Sequence, residues 1–237
     1  MDLIQKLKWW ITAGVEENIG ALPHDRLKPM PASPTAADKN NPIVVQAEQT
    51  AGSCETLAAL NEAKQNVDCP LRKTSSHTVL GRGSDKPLVM CVCESPSAPD
   101  DKENKLFSGE TGVLLDKMLA AIGLDLATTA YVAALIPWRP PGNRAPTSVE
   151  VTTCLSFLNK EIELVQPQFL LLFGHTVVEA LLNIKTLPKA RGVWHEYTTG
   201  GQIIPAIATL APATLKTSAQ RKLAWEDLQM LQEKLPR

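Results

Sequence analysis

The chain has 237 residues, 44% of them hydrophobic, with 24 Lys and Arg against 25 Asp and Glu. That length carries one sizeable core with an appendage, and a formal net charge of −1 excludes a general electrostatic attraction to nucleic acid, so any such binding needs a local patch. Five cysteines, an odd number without regular spacing, argue against a secreted disulfide framework and fit a reducing cytoplasm, and no run approaches the roughly 18 apolar residues of a membrane span.

The first segment, residues 1–26, is amphipathic. Leu3, Ile4, Leu7, Trp10 and Ile11 recur at helical spacing, and Asp2, Lys6 and Lys8 leave no signal-peptide core. It reads as a helix that docks on the core, or as a membrane-surface or partner helix. Residues 27–42 are rich in Pro, Ala, Ser and Asn; they bury too little apolar surface to offset their ordering entropy and read as a mobile linker. A polar helix is predicted from Val45 to about Gln65. The segment from Asp68 to Asp85 reads as loop, locally basic.

From there strands and helices alternate. Strand candidates are Leu88 to Cys93, Ala130 to Ile136, Phe169 to Phe173 and Ile203 to Thr209. Helix candidates are Thr111 to Ile122, Ser148 to Leu164, Thr176 to Leu182 and Ala219 to Lys234. The alternation predicts an α/β three-layer sandwich over residues 43–237: a central, mainly parallel four-stranded sheet flanked by helices. Each strand end delivers a loop to one edge: Glu94 to Phe107, Pro137 to Pro146, Gly174 with His175, and Leu210 to Lys216. Ligands of open α/β sheets bind outside the carboxyl ends of the strands, so these four loops frame the candidate site.

The first loop carries most of the chemistry. An acid, Glu94, leaves the strand end; Asp100 and Asp101 follow; an isolated aromatic, Phe107, precedes Gly109 and the next helix. An acid and an aromatic suggest a polar group and a flat ligand, and solvated acids in an ordinary connection are the plainer alternative. Cys91 and Cys93 lie two apart on one strand face, but no third ligand stands at metal spacing, so they read as structural thiols and no metal site is expected.

Several separate motifs, in order, now carry a resemblance. They are CESPSAPDDKENKLFSGETGVLL (93–115), WRPPGNRAP (138–146), LLFGHTVVEALL (171–182), RGVW (191–194) and TLAPATLKTSAQRKLAWEDLQ (209–229). Together they make the chain similar to the uracil-DNA glycosylase superfamily, nearest its iron–sulfur branch, family 4, over about Cys69 to Leu231. The resemblance implies the glycosylase fold, a DNA-repair setting and DNA as partner. It implies that Glu94 and Asp100 stand at catalytic positions, that Phe107 stacks on a flipped base beside the pocket glycine Gly109, and that Arg139, Asn143, Arg144 and Lys216 contact DNA.

The departures fall on the chemistry. Where the family has a uracil-reading Asn, this chain has Ala134; where it has a His before Pro, this chain has Ala211. Of four cluster cysteines, Cys69 and Cys154 remain, while Asn66 and Trp138 occupy the other positions. Two thiolates cannot hold a four-cysteine cluster, so no iron–sulfur cluster and no other cofactor is expected. His175 and His195 are the candidates to move into the lost position, but each has a plainer reading, His175 at a helix start and His195 in a turn after Trp194. Three readings stay open: an active glycosylase with a remodelled pocket that acts on uracil or another damaged base, a catalytically inactive DNA-binding relative, and a protein-interaction module that keeps only the fold; the two alanines favour weak, altered or absent uracil excision. The chain is expected to be a cytoplasmic monomer without membrane contact.

Overall fold

The structure is a computed structural model and describes residues 41–236. The amphipathic segment 1–26 and the linker as far as residue 40 lie outside the described residues. In chain order come α1 (Pro42–Gly52), α2 (Leu57–Asn66), β1 (Arg82–Gly83), β2 (Val89–Cys93), α3 (Ala98–Glu103), α4 (Gly109–Ala121), β3 (Ala130–Ala134), α5 (Ser148–Val165), β4 (Phe169–Phe173), α6 (His175–Leu182), α7 (Leu187–Ala190), β5 (Trp194–Thr199), β6 (Gln202–Thr209) and α8 (Ser218–Lys234). Single 3-10 turns lie at Pro70–Lys73, Pro141–Asn143 and Pro212–Thr214.

The sheet order is β1-β3-β2-β4-β6-β5, and β3, β2, β4 and β6 run parallel. Parallel strands buried on both faces need apolar side chains at every position, which is why these four read as nearly unbroken apolar runs. Register shows how the two faces divide. Val132, Cys91, Leu171 and Ile207 form one line across the sheet, packed with Leu115 and Leu119 of α4 and Leu228 and Leu231 of α8. Ala133, Val92, Leu172 and Ala208 form the adjacent line on the opposite face, packed with Leu158 and Ile162 of α5 and Val177 and Val178 of α6.

The predicted four-stranded sheet is therefore the centre of a six-stranded one. Antiparallel strands close both edges, β1 on β3 and β5 on β6. The hairpin β5–β6 turns on Gly200 (φ 54°) and Gly201 (φ 76°), the pair of positive φ values that a tight two-residue hairpin requires. His195, expected in a turn, lies within β5 opposite Ala206. The polar helix predicted over 45–65 is two helices. Asn41 caps α1, accepting from the Ile43 amide at 3.0 Å, and Thr56 caps α2, accepting from Ala59 at 3.2 Å. Both pack on α5 through Ala47, Ala51, Leu60 and Phe157. A buried ion pair adds to this contact: Lys64 Nζ lies 2.5 Å from Glu161 Oε2, and the Tyr131 hydroxyl donates to Glu161 Oε1 at 2.9 Å. Among the described residues no helix is long and apolar enough to cross a membrane.

Candidate active site

The site is assembled by the ends of the parallel strands. Cys93, last in β2, is in register with Ala134, last in β3, and Phe173, last in β4, with Thr209, last in β6. Backbone bonds carry this order one step further: Leu135 N donates to Cys93 O at 2.8 Å, Ile136 N to Glu94 O at 2.9 Å, and Gly174 N to Thr209 O at 3.0 Å. Glu94, Gly174 and the Leu210–Ala211 pair thus leave one edge close together. A Cβ on Gly174 would lie 4.0 Å from that of Ala211. Phe107, Ala134 and Phe173 belong to one apolar cluster, with Cys93 and Ala211 packed against it. Residues distant in sequence therefore meet here. Glu94 is half-buried, and among the described residues no hydrogen bond or ion pair takes its carboxylate.

The loop after β2 is rigid. Ser97 and Asp100 form a capping box at the start of α3. Asp100 Oδ2 accepts from the Ser97 amide at 2.9 Å and its hydroxyl at 2.7 Å, and Oδ1 accepts from the Ser108 amide at 2.6 Å. A carboxylate so engaged anchors the loop and has little capacity left to orient water. Asp101 holds a neighbouring segment: its Oδ1 accepts from the amides of Ser76 at 3.1 Å and His77 at 3.0 Å. Nothing local in the sequence links positions so far apart.

Phe107 has φ 55°, a left-handed conformation that costs a non-glycine residue about 1–2 kcal/mol. Three contacts hold it there. The Ser108 amide is fixed by Asp100, and the ring meets Phe173 edge-on at 5.9 Å and 68°. Gly112 packs against its carbonyl so closely that a Cβ there would lie 2.0 Å from the Phe107 oxygen. Gly109, at φ 60°, has open space beside it. A strained aromatic locked onto a rigid loop is a feature of binding sites.

The four basic or polar candidates diverge in role. Arg139 Nε donates to Asn143 Oδ1 at 2.9 Å, so these two brace the Pro-rich loop together. Arg144 grips both Glu150 oxygens, at 2.9 and 2.6 Å, and is engaged by protein. Burial works to raise the Glu150 carboxyl pKa, but the bonds from Arg144 and the Thr147 amide outweigh it and leave the carboxyl below its ordinary value. Lys216 is exposed just past the 3-10 turn that follows β6. Neither histidine is a ready substitute for the missing one. His175, at a helix start as expected, has Nε2 2.6 Å from the Lys185 carbonyl, and His195 Nε2 lies 2.8 Å from that of Ala190.

The positions of the family's iron–sulfur cluster do not fit such a group. Trp138 is fully buried in the apolar cluster that also holds Cys69 and Cys154, and its Nε1 donates to Thr78 Oγ1 at 3.0 Å. Asn66 is exposed at the end of α2. The two remaining cysteines do meet, and their side chains hydrogen-bond to each other. That bond, outweighing burial, lowers the Cys69 thiol to about 7, and it drives Cys154 well above the ordinary thiol value. Among the described residues no three His, Cys, Asp or Glu side chains are grouped to hold a metal ion. Burial pushes the Cys91 thiol up to about 12, in keeping with a structural role.

Chemically, the edge offers one unengaged acid, one strained aromatic and apolar walls where two polar side chains would read and activate a base. Residues 80–229 match the family model described as the uracil DNA glycosylase superfamily. The type-4 uracil-DNA glycosylase of Archaeoglobus fulgidus is 30% identical over 67% of this chain and 81% of its own length. That of Thermotoga maritima is 29% identical, over 70% of this chain and 87% of its own. That of Pyrobaculum aerophilum is 30% identical, over 73% and 92%. Motifs, fold and relatives converge: the chain belongs to the uracil DNA glycosylase superfamily and sits with its type-4 branch.

Proposed function

We propose that this chain serves DNA base-excision repair by binding DNA and taking a flipped base against Phe107, with weak, altered or absent uracil excision and without an iron–sulfur cluster. One observation carries the reading: alanines, Ala134 and Ala211, stand at the edge where the family places its base-reading Asn and its catalytic His. Cleavage of the glycosidic bond of deoxyuridine leaves negative charge on the base and positive charge on the sugar. Losing one donor aimed at the developing anion costs about 10² to 10³ in rate, roughly 3 to 4 kcal/mol. Losing the side chain that pairs with the base edge removes selectivity of about 10⁴ or more. Glu94 is the acid left to orient water and stabilise the sugar cation in a monofunctional glycosylase. Base recognition then rests on shape and on stacking, worth roughly 1–3 kcal/mol per base.

A second reading, a catalytically inactive DNA-binding or protein-interaction module, is favoured by the engagement of Asp100, His175 and His195 in bonds within the protein. A strand-nicking assay on uracil-containing single- and double-stranded DNA, with alkali to cleave the abasic sites that base removal leaves and with Glu94→Ala beside the wild type, separates the two. Slow nicking abolished by Glu94→Ala supports the glycosylase, and binding without nicking supports the inactive module. Robust nicking untouched by Glu94→Ala would refute this account of the site. Iron analysis of purified protein tests the cluster: stoichiometric iron with a visible absorbance band would overturn that part.

A further inference from the structure

The locally basic segment after α2 has no role in the site described above, yet it lies on the same edge. Asp101, in the loop after β2, holds the amides of Ser76 and His77; the Val79 amide donates to Pro137 O at 2.8 Å; and Thr78 is bonded to Trp138, next to Arg139. This segment forms one wall of a recess of about 370 Å³, lined by Gln65, Arg72, Ser75, Ser76, His77, Thr78 and Asn104. Every lining residue is polar, one carries a fixed positive charge, and no carboxylate lines it.

Arg72 stands apart from the other arginines. Six lie among the described residues, and five have their guanidinium engaged by protein: Arg82 by Leu106 O, Arg139 by Asn143, Arg144 by Glu150, Arg191 by Asp227 and Arg221 by Leu215 O. The guanidinium of Arg72 has no such partner among the described residues, whereas its neighbour Lys73 pairs with Asp68 at 3.0 Å. Asp101, the acid hydrogen-bonded to the recess wall, directs Oδ1 and Oδ2 to backbone amides. His77 Nδ1 lies 2.6 Å from the Asp101 carbonyl, which can only accept, so Nδ1 carries the proton and Nε2 is the ring nitrogen left over. An uncommitted arginine fork beside hydroxyl and amide donors, with no competing carboxylate, is the chemistry that takes a phosphate.

We propose that this recess, centred on Arg72, binds a backbone phosphate of the DNA strand and extends the binding face beyond the Pro-rich loop. The inference rests on the DNA-binding reading above. The test is fluorescence anisotropy of the intact chain with a labelled single-stranded oligonucleotide, titrated over a range of KCl. One phosphate contact accounts for about 0.7 in the slope of log affinity against log salt on single strands. Arg72→Ala should lower that slope by about this amount and weaken binding about three- to tenfold, equally for unrelated sequences. Lys73→Ala, which removes a cation already paired, should leave the slope unchanged. Wild-type binding with an unaltered slope in Arg72→Ala overturns this inference and leaves DNA binding intact. No binding by the wild type overturns the DNA reading and this inference with it. A third arm adds inorganic phosphate and follows thermal unfolding. Stabilisation of the wild type but not of Arg72→Ala, with DNA affinity equal in both, would assign the recess to free phosphate instead.

Discussion

Gly112→Ala is the sharpest probe of how Phe107 is held. The position is helical, with no positive φ, so backbone preference alone predicts that alanine stabilises α4 by up to about 1 kcal/mol. The contact predicts the opposite sign. The new Cβ would lie 2.0 Å from the Phe107 oxygen and 2.8 Å from its carbonyl carbon, and ordinary contact begins at 3.4 Å. The Phe107 backbone must therefore retreat by about 1.4 Å, the difference between 3.4 and 2.0 Å. Overpacking of this kind costs about 1–3 kcal/mol, and a backbone neighbour puts it at the upper end. The net expectation is a loss of about 2 kcal/mol, or roughly 4–8 °C in Tm for a domain of this size. Moving the ring also forfeits its stacking, so affinity for single-stranded DNA should drop at least about fivefold, the lower end of a 1–3 kcal/mol contribution. Gly109→Ala is the control. It meets open space and incurs only the cost of its φ of 60°, about 1–2 kcal/mol, with Phe107 left in place. Thermal unfolding followed by circular dichroism, paired with anisotropy, reads both quantities. A Gly112→Ala protein as stable as the wild type, or equal affinity losses in the two variants, refutes the argument.

Restoring Ala134→Asn and Ala211→His together should raise uracil excision by more than the product of the single changes, because base recognition and anion stabilisation act on one transition state; the nicking rates of the four proteins in the cycle measure the coupling. Lys64→Met should cost about 3–5 kcal/mol by leaving Glu161 buried without its cation, and Lys64→Met with Glu161→Leu should recover most of it in denaturant unfolding; a single variant within about 1 kcal/mol of wild type would show that the pair contributes little. Glu150 has a folded pKa below its ordinary value of 4.5, so its contribution is complete above that value and is lost as pH falls through the folded one. Wild-type stability should therefore decline below about pH 4.5, and Arg144→Ala should flatten that part of the profile; parallel profiles for the two proteins count against the bidentate pair.

The parallel core was legible because both-face burial writes itself as unbroken apolar runs: β4 begins and ends where Phe169 to Phe173 predicts, and α5 extends the predicted helix by one residue, to Val165. The edge strands were not. β1 has two residues, too short for any period, and β5 (Trp194, His195, Glu196, Tyr197, Thr198, Thr199) lacks the strict alternation of a half-buried strand, with Gly200-Gly201 as its main local signal. The break between α1 and α2 does have a local signal, Gly52-Ser53 at the end of one helix and the Thr56 cap of the next, which the continuous polar pattern on either side masks. At the site, motif order brought Phe107, Ala134 and Ala211 to one edge, and the structure places them in one cluster. What motifs leave open is which side chains are already engaged. Asp100 and Arg144 stand at motif positions, yet the carboxylate holds Ser108 and the guanidinium holds Glu150. Such pairings span only a loop, eight and six residues, yet they depend on how that loop folds back, which no motif states. The same applies to Arg72, whose lack of a partner becomes visible only when the other arginines find theirs.

The edge of the sheet separates two kinds of inheritance. The bonds that order it, Leu135 to Cys93, Ile136 to Glu94 and Gly174 to Thr209, run between backbone atoms and are indifferent to the side chains beside them. Ala134 and Ala211 therefore sit where a polar group can be lost or regained without disturbing strand pairing. A lineage could drift through such positions, silencing or redirecting its chemistry in one or two codon changes while the scaffold stayed under unbroken selection. The architecture is thus evolvable at the rim and conservative within, and a change of substrate here needs no change of fold.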